Sequence, residues 1–148
     1  MGKPDANIGS HIIDALVNGM PGFRDLVDKI EDEYEDTKAN NYGHPYITLL
    51  DGRRAYVDSK HKALNYKLQG FEAITVKASI AMAWESLKEM DVQPLTIMHD
   101  EVQLQIWPQD EEEVTKILLK SFRSAPKQFG VTIHEGSVKV GRSWRESH

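Results

Sequence analysis

The chain contains no cysteine. That excludes disulfides and thiolate chemistry, so any bound metal has to rest on oxygen or nitrogen ligands. Long apolar runs are missing as well, and none approaches the roughly 20 residues that span a bilayer. The Met1-Gly-Lys-Pro-Asp5 start lacks the apolar core of a secretory signal, which makes the cytoplasm the expected location and a membrane partner unexpected. Internal repeats and low-complexity stretches are absent. The histidines at 11, 44, 61, 134 and 148 are scattered, and none stands at a metal-ligand spacing such as His-x-x-x-His. An independent metal hydrolase is therefore disfavoured.

What is present is one domain's worth of chain, 148 residues with 40% hydrophobic content, enough to bury a core. The net charge of −5 argues against indiscriminate nucleic-acid binding, but the charge is uneven. Residues 51–70 carry five bases (Arg53, Arg54, Lys60, Lys62 and Lys67) against Asp51 and Asp58. Such a local stripe can grip phosphate on an acidic protein, because affinity follows the contacting surface. Residues 31–36 hold five acids and no base, which reads as a solvated helix face.

Hydrophobic periodicity orders the elements. A short helix is expected over about 7–17, with Ile8, Ile12, Ile13 and Leu16 on its inner face. The breaker Gly19-Met20-Pro21-Gly22 precedes a second helix, whose inner face is Phe23, Leu26, Val27 and Ile30 and which ends near Gly43. Residues 46–57 read as a β-hairpin turning at Asp51-Gly52. From about Ala63 to Met90 there is no proline, and Gly70 is the one glycine. Leu64, Leu68, Phe71, Ile74, Ala78, Ala81, Trp84 and Leu87 recur there at helical spacing, so a single helix of roughly 40 Å is expected. A second hairpin follows over Leu95–Trp107. Asp110–Glu113 then opens a helix with acids at its positive end and Val114, Ile117, Leu118 and Phe122 inward. Strand-like runs close the chain at about 131–134 and 138–140. The sum is an α+β fold, an antiparallel sheet with a central hairpin packed against helices that include one long helix. The expected organisation is a single domain, with a helical segment over 1–45 and the core over 46–148.

Chemistry concentrates in His99-Asp100-Glu101, at the tip of the second hairpin. Two adjacent carboxylates beside an imidazole suit a hard divalent cation such as magnesium. On a regular strand they would point to opposite faces, whereas at a tight turn they can converge. The plain alternative is a solvated acidic turn. A second set lies at the start of the long helix, where His61, Asn65 and Gln69 share a face at i, i+4, i+8 and Lys60, Lys62 and Lys67 flank them. Amide side chains can read base edges while lysines hold phosphate. The alternative is an ordinary exposed helix face.

Taken together, Asp51-Gly-Arg-Arg54, Ala63-Leu-Asn65 with Gln69-Gly70, Ile97-Met-His-Asp-Glu-Val102 and the closing Gly141-x-x-Trp144-x-x-x-His148 resemble the carboxy-terminal palm of family A DNA polymerases. Order and spacing agree over nearly the whole chain, most strongly from Leu49 to Gln105. The resemblance implies that Asp100 is a metal-binding carboxylate, with Glu101 its less essential neighbour and His99 beside the primer's 3′ end. It places Asn65 and Gln69 at the minor groove or template next to the new base pair, and Arg53 and Arg54 on backbone phosphates. Magnesium in a two-metal site, primer–template DNA and a deoxynucleoside triphosphate are the implied ligands.

Two family elements are missing from these 148 residues. No aspartate stands in an Asp-x-x-x-x-Glu-x-Arg context, and no lysine is followed by Tyr-Gly as in the fingers helix. Transfer by two metals about 3.5–4 Å apart needs carboxylates that bridge both ions. The expectation is therefore the palm subunit of a split polymerase, of the kind a bacteriophage genome encodes, at work in the cytoplasm of a bacterial or phage-infected cell. It would be inactive until a second polypeptide supplies thumb, first aspartate and fingers. The alternative is a palm-derived binding or structural module that self-associates.

Overall fold

The computed structural model describes residues 6–133 and 136–147. The chain is α+β, in the order α1 (Ala6–Gly19), α2 (Phe23–Asn40), β1 (Tyr46–Thr48), β2 (Arg54–Tyr56), α3 (Ala63–Leu87), β3 (Gln93–Met98), β4 (Glu101–Gln105), α4 (Glu111–Ser124) and a single-turn α5 (Trp144–Ser147). The long helix forms close to where its uninterrupted periodicity placed it. The strands make two separate antiparallel hairpins, β1–β2 and β3–β4. No described helix is long and apolar enough to cross a membrane. Contacts divide the chain into two compact units: residues up to Leu49 with Arg53–Lys67, and Leu50–Gly52 with Leu68 onward. The helical segment ahead of residue 45 thus shares its unit with the first hairpin.

In the first unit, Ile30, Tyr34, Ile47, Val57 and Ala63 form the core, with Leu49, Ala55 and Leu64 packed against it. Ile47 pairs with Ala55 across the hairpin and is fully buried. Tyr46, Thr48, Arg54 and Tyr56 fall on the opposite face, as the two-residue period of a strand requires. The turn needs a left-handed residue, and Gly52 supplies it at φ 82°; glycine adopts that conformation without a Cβ penalty. Helix α2 seats the hairpin through Thr37, whose hydroxyl donates to the Tyr46 carbonyl at 2.7 Å. The buried side of α2 is Ile30 and Tyr34, one turn further along than Phe23 and Leu26 would place it. Ile8, Ile12 and Leu16, expected inside, are all more than half exposed. Helix α1 does form, but no described element covers that face; the side chain of Ile13 lies outside the described residues.

In the second unit, Ala83, Leu87, Val92 and Val114 are buried, with Met90, Leu104, Ile106, Ile117 and Leu118 around them. The buried seam of α3 runs through Thr75, Ser79, Ala83 and Leu87, one residue per turn. It differs from the expected apolar series, since Leu68, Ala81 and Trp84 are exposed. Thr75 and Ser79 enter the interior because their hydroxyls donate back along the helix, to the carbonyls of Phe71 and Thr75 respectively. That satisfies each polar group locally. Apolar residues surround α3 on every side, so periodicity alone does not choose its inner face.

The strand expected at 131–134 is absent over 131–133, and none forms at 138–140; His134 lies outside the described residues. Val138 and Val140 are exposed, and a strand without a partner has nothing to stabilise it. Further on, Gly141 permits a tight contact. A Cβ there would sit 2.5 Å from Glu146 Cβ, and the neighbouring Arg142 amide donates to Glu146 Oε2 at 2.6 Å.

Candidate nucleic-acid and metal site

The His-Asp-Glu motif sits at the tip of the β3–β4 hairpin. Met98 pairs with Glu101, which leaves His99 and Asp100 as a two-residue loop. Such loops require a positive φ, normally provided by Gly, Asn or Asp. Here His99 takes it, at φ 51°. A non-glycine residue in that region is uncommon and costs of order 1 kcal/mol or more. The turn therefore holds His99 in a strained backbone conformation.

The two carboxylates have different settings. Asp100 is exposed in the loop, whereas Glu101 opens β4 and is half-buried. The Gln103 amide donates to Glu101 Oε1; Gln103 is two residues on and therefore on the same face of the strand. The sequence reading missed this partner, although the i, i+2 spacing could have signalled it. Both carboxylates offer the hard oxygens that magnesium prefers. Among the described residues no cluster of three or more His, Asp or Glu is placed to hold an ion. Two carboxylates fit magnesium chemically, and they are fewer than an octahedral ion needs.

The polar set at the start of α3 is also exposed, at His61, Asn65 and Gln69. His61 lies in a 3-10 turn over Lys60–Lys62 that precedes α3. The regular one-turn spacing thus holds for Asn65 and Gln69 and not for His61.

The acidic run on α2 reads differently in the structure. It is not simply solvated, because it pairs with the bases that were expected to hold phosphate. Lys60 Nζ lies 2.9 Å from Glu31 and 3.7 Å from Glu35, and the hydrogen bond to Glu31 pushes the Lys60 pKa up. Lys62 pairs with Asp58 at 2.7 Å, which raises the lysine and lowers the acid. Glu33 accepts from the Thr48 amide at 2.6 Å and pairs with Lys67 at 3.3 Å. Partial burial works to raise the Glu33 pKa, but those bonds and the Lys67 charge outweigh it and hold the carboxyl below its ordinary range. Phosphate reaching Lys60 or Lys62 would exchange one ion pair for another. Arg54 lies instead over the Tyr46 ring, 4.6 Å from its centre.

This arrangement, a carboxylate-bearing hairpin and a long helix in an α+β chain, resembles the fold of a polymerase domain. The homologues of the chain are DNA polymerases of family A, and its partial coverage of them fits a polymerase fragment. Over 120 residues, 80% of its length, it is 32% identical to DNA polymerase I of Aquifex aeolicus (strain VF5) and covers 20% of that protein. It is 30% identical to the thermostable DNA polymerase I of Thermus filiformis, of which it covers 13%. It is 29% identical to the DNA-directed DNA polymerase of Enterobacteria phage T3, covering 16%. The chain thus spans a fifth or less of these relatives. The fold matches the POL domain of Pol1 from M. smegmatis, described in complex with DNA primer-template and dNTP. The TM-score is 0.68 at 18% identity, over 83% of this chain and 23% of that one. No protein-family profile matches the chain.

Proposed function

We propose that this chain supplies the carboxy-terminal palm portion of a family A DNA polymerase. In that reading the His99–Glu101 turn forms part of the site of metal-dependent nucleotidyl transfer in template-directed DNA synthesis. The observation that carries it is the position of Asp100, exposed at the apex of a hairpin whose neighbour Glu101 is tied down by Gln103. Asp100 is free to meet an ion from outside, and Glu101 is pre-oriented beside it. Asp100 and Glu101 would hold magnesium, which when bound supplies electrostatic stabilisation of the transferring phosphate. His99 would border the primer end. Asn65, Gln69 and His61 would contact the minor groove or template, and Arg53, Arg54, Lys60 and Lys62 the backbone.

A second polypeptide, carrying thumb, first metal-binding aspartate and fingers, would complete the site. Strand β3 supports an incoming partner, being exposed along its length with Leu95 at 62% and Ile97 at 49%. Exposed apolar surface on a two-stranded ribbon favours further pairing or cover. The phage-like split, and a place in the cytoplasm of a bacterial or infected cell, are parts of the same proposal.

The test is complementation. The chain is mixed with a separately produced amino-terminal half of a family A polymerase, ending after its fingers, and primer extension is followed with and without magnesium. Magnesium-dependent extension by the mixture and by neither part supports the proposal. Activity restored only when the two parts are covalently continuous contradicts the split. The same exposed faces favour a second reading, a palm-derived module that self-associates without catalysis. A dimeric mass in solution, with no extension under any pairing, would establish that alternative.

A further inference from the structure

The outward face of the first hairpin carries two aromatic rings that the polymerase reading leaves unused. The register pairs Tyr46 with Tyr56 and Thr48 with Arg54, so all four share the side away from buried Ile47. The two tyrosine rings meet edge to face, with centres 6.1 Å apart and planes at 67°. The Arg54 guanidinium covers the Tyr46 ring at 4.6 Å. Tyr56 is 63% exposed. Arg54 makes no ion pair among the described residues, unlike Lys60 and Lys62, whose charges are already engaged. A shallow groove of ≈ 320 Å³ adjoins this face, lined by Asp36, Thr37, Asn40 and Asn41 together with Tyr46 and Arg54.

The cross-strand ring pair and the arginine over it brace the hairpin, yet Tyr56 stays largely exposed because the core lies on the hairpin's other face. Two chemistries converge here. Aromatic rings and guanidinium planes stack on nucleobases of any sequence, and an unpaired base presents its face where a duplex base does not. The Asn40 and Asn41 amides donate to backbone carbonyls, of Asp36 and His44. Their own carbonyl oxygens, with the Asp36 carboxylate, remain as acceptors suited to the exocyclic amine of a base.

We propose that Tyr46, Tyr56 and Arg54 form a stacking platform for an unpaired base of single-stranded DNA, with Arg54 also meeting its phosphate. The platform uses none of the residues of the His99–Glu101 turn. It rests on the polymerase reading in naming the single-stranded template as its source.

The experiment measures binding of the full chain, by fluorescence anisotropy, to a labelled deoxycytidylate oligomer and to an abasic oligomer of equal length. The base-bearing strand is expected to bind more tightly than the abasic one. Tyr56→Ala weakens it about tenfold, the scale of losing one stacked base, while Tyr56→Phe retains the wild-type affinity. Circular dichroism of the same samples confirms that the variants stay folded. Equal binding of the two oligomers, equally effective competition by duplex, or a folded Tyr56→Ala chain with unchanged affinity would overturn the platform. Primer extension by the complemented polymerase is scored separately, so the platform can fail while the polymerase reading stands.

Discussion

The two hairpins of this chain are built on the same antiparallel pairing and differ in what holds them. The β1–β2 hairpin lays Ile47 into a core and is tied to α2 by Thr37 and by the Glu33–Thr48–Lys67 set. Its turn uses glycine, the residue suited to the conformation. In the β3–β4 hairpin, strand β3 is exposed throughout, and one inner edge on β4 is held by Leu104. Its turn places a histidine where glycine belongs. Good local geometry and burial mark a scaffold. Strain and exposure at an acidic tip are the features on which the proposed metal site rests.

The contrast can be broken first at the scaffold. Ile47→Ala should cost about 3 kcal/mol or more, the range for emptying a fully buried aliphatic site, read as a fall in the denaturant midpoint. If the loss is under about 1 kcal/mol, the first hairpin is not held by its core face.

Next in size is Glu33. Glu33→Gln should cost about 1–2 kcal/mol at neutral pH, because a charge-assisted bond to the Thr48 amide and the Lys67 pair weaken together. Its folded pKa lies below the ordinary 4.5. The contribution is therefore present above that value and disappears as pH falls through the lower folded pKa. Thermal melts of wild type and Glu33→Gln should converge on acidification. A gap that stays constant from neutral pH down to the acid limb would show that Glu33 acts by packing alone.

A smaller effect of opposite sign is expected at the other turn. His99→Gly should leave the fold as stable or raise it by up to about 1 kcal/mol, since glycine relieves the left-handed strain. The same change should lower extension by the complemented polymerase. A clear loss of stability would mean that the imidazole holds the turn together. The smallest effect is expected on β3, where Ile97→Thr should change stability by no more than about 0.5 kcal/mol in the isolated chain. In the complemented polymerase it should weaken partner binding, measured by titration of one part against the other.

Element type was largely legible in the sequence, because alternation, Asp51-Gly52 and the unbroken 63–90 stretch are local signals. Burial was less so. Whether Ile8, Ile12 and Leu16 are covered depends on what packs against them, and Thr75 and Ser79 look polar until their bonds back along α3 are seen. The acidic run on α2 could be located but not paired, since Glu31 and Glu33 meet lysines about thirty residues away. At the candidate site, the motif itself was readable. The left-handed His99 was not, because nothing in its identity calls for a positive φ, and the brace from Gln103 to Glu101 went unnoticed.

The central claim is that Asp100 is the metal-binding carboxylate this chain contributes to a shared polymerase site. It is tested most directly by single-turnover primer extension in the complemented polymerase, comparing Asp100→Ala with Glu101→Ala at saturating magnesium. The account predicts a loss of about 10³-fold or more for Asp100→Ala, the scale of removing a preorganised electrostatic stabiliser, a smaller loss for Glu101→Ala, and unchanged melting of both chains. Extension by Asp100→Ala at the wild-type rate would contradict it.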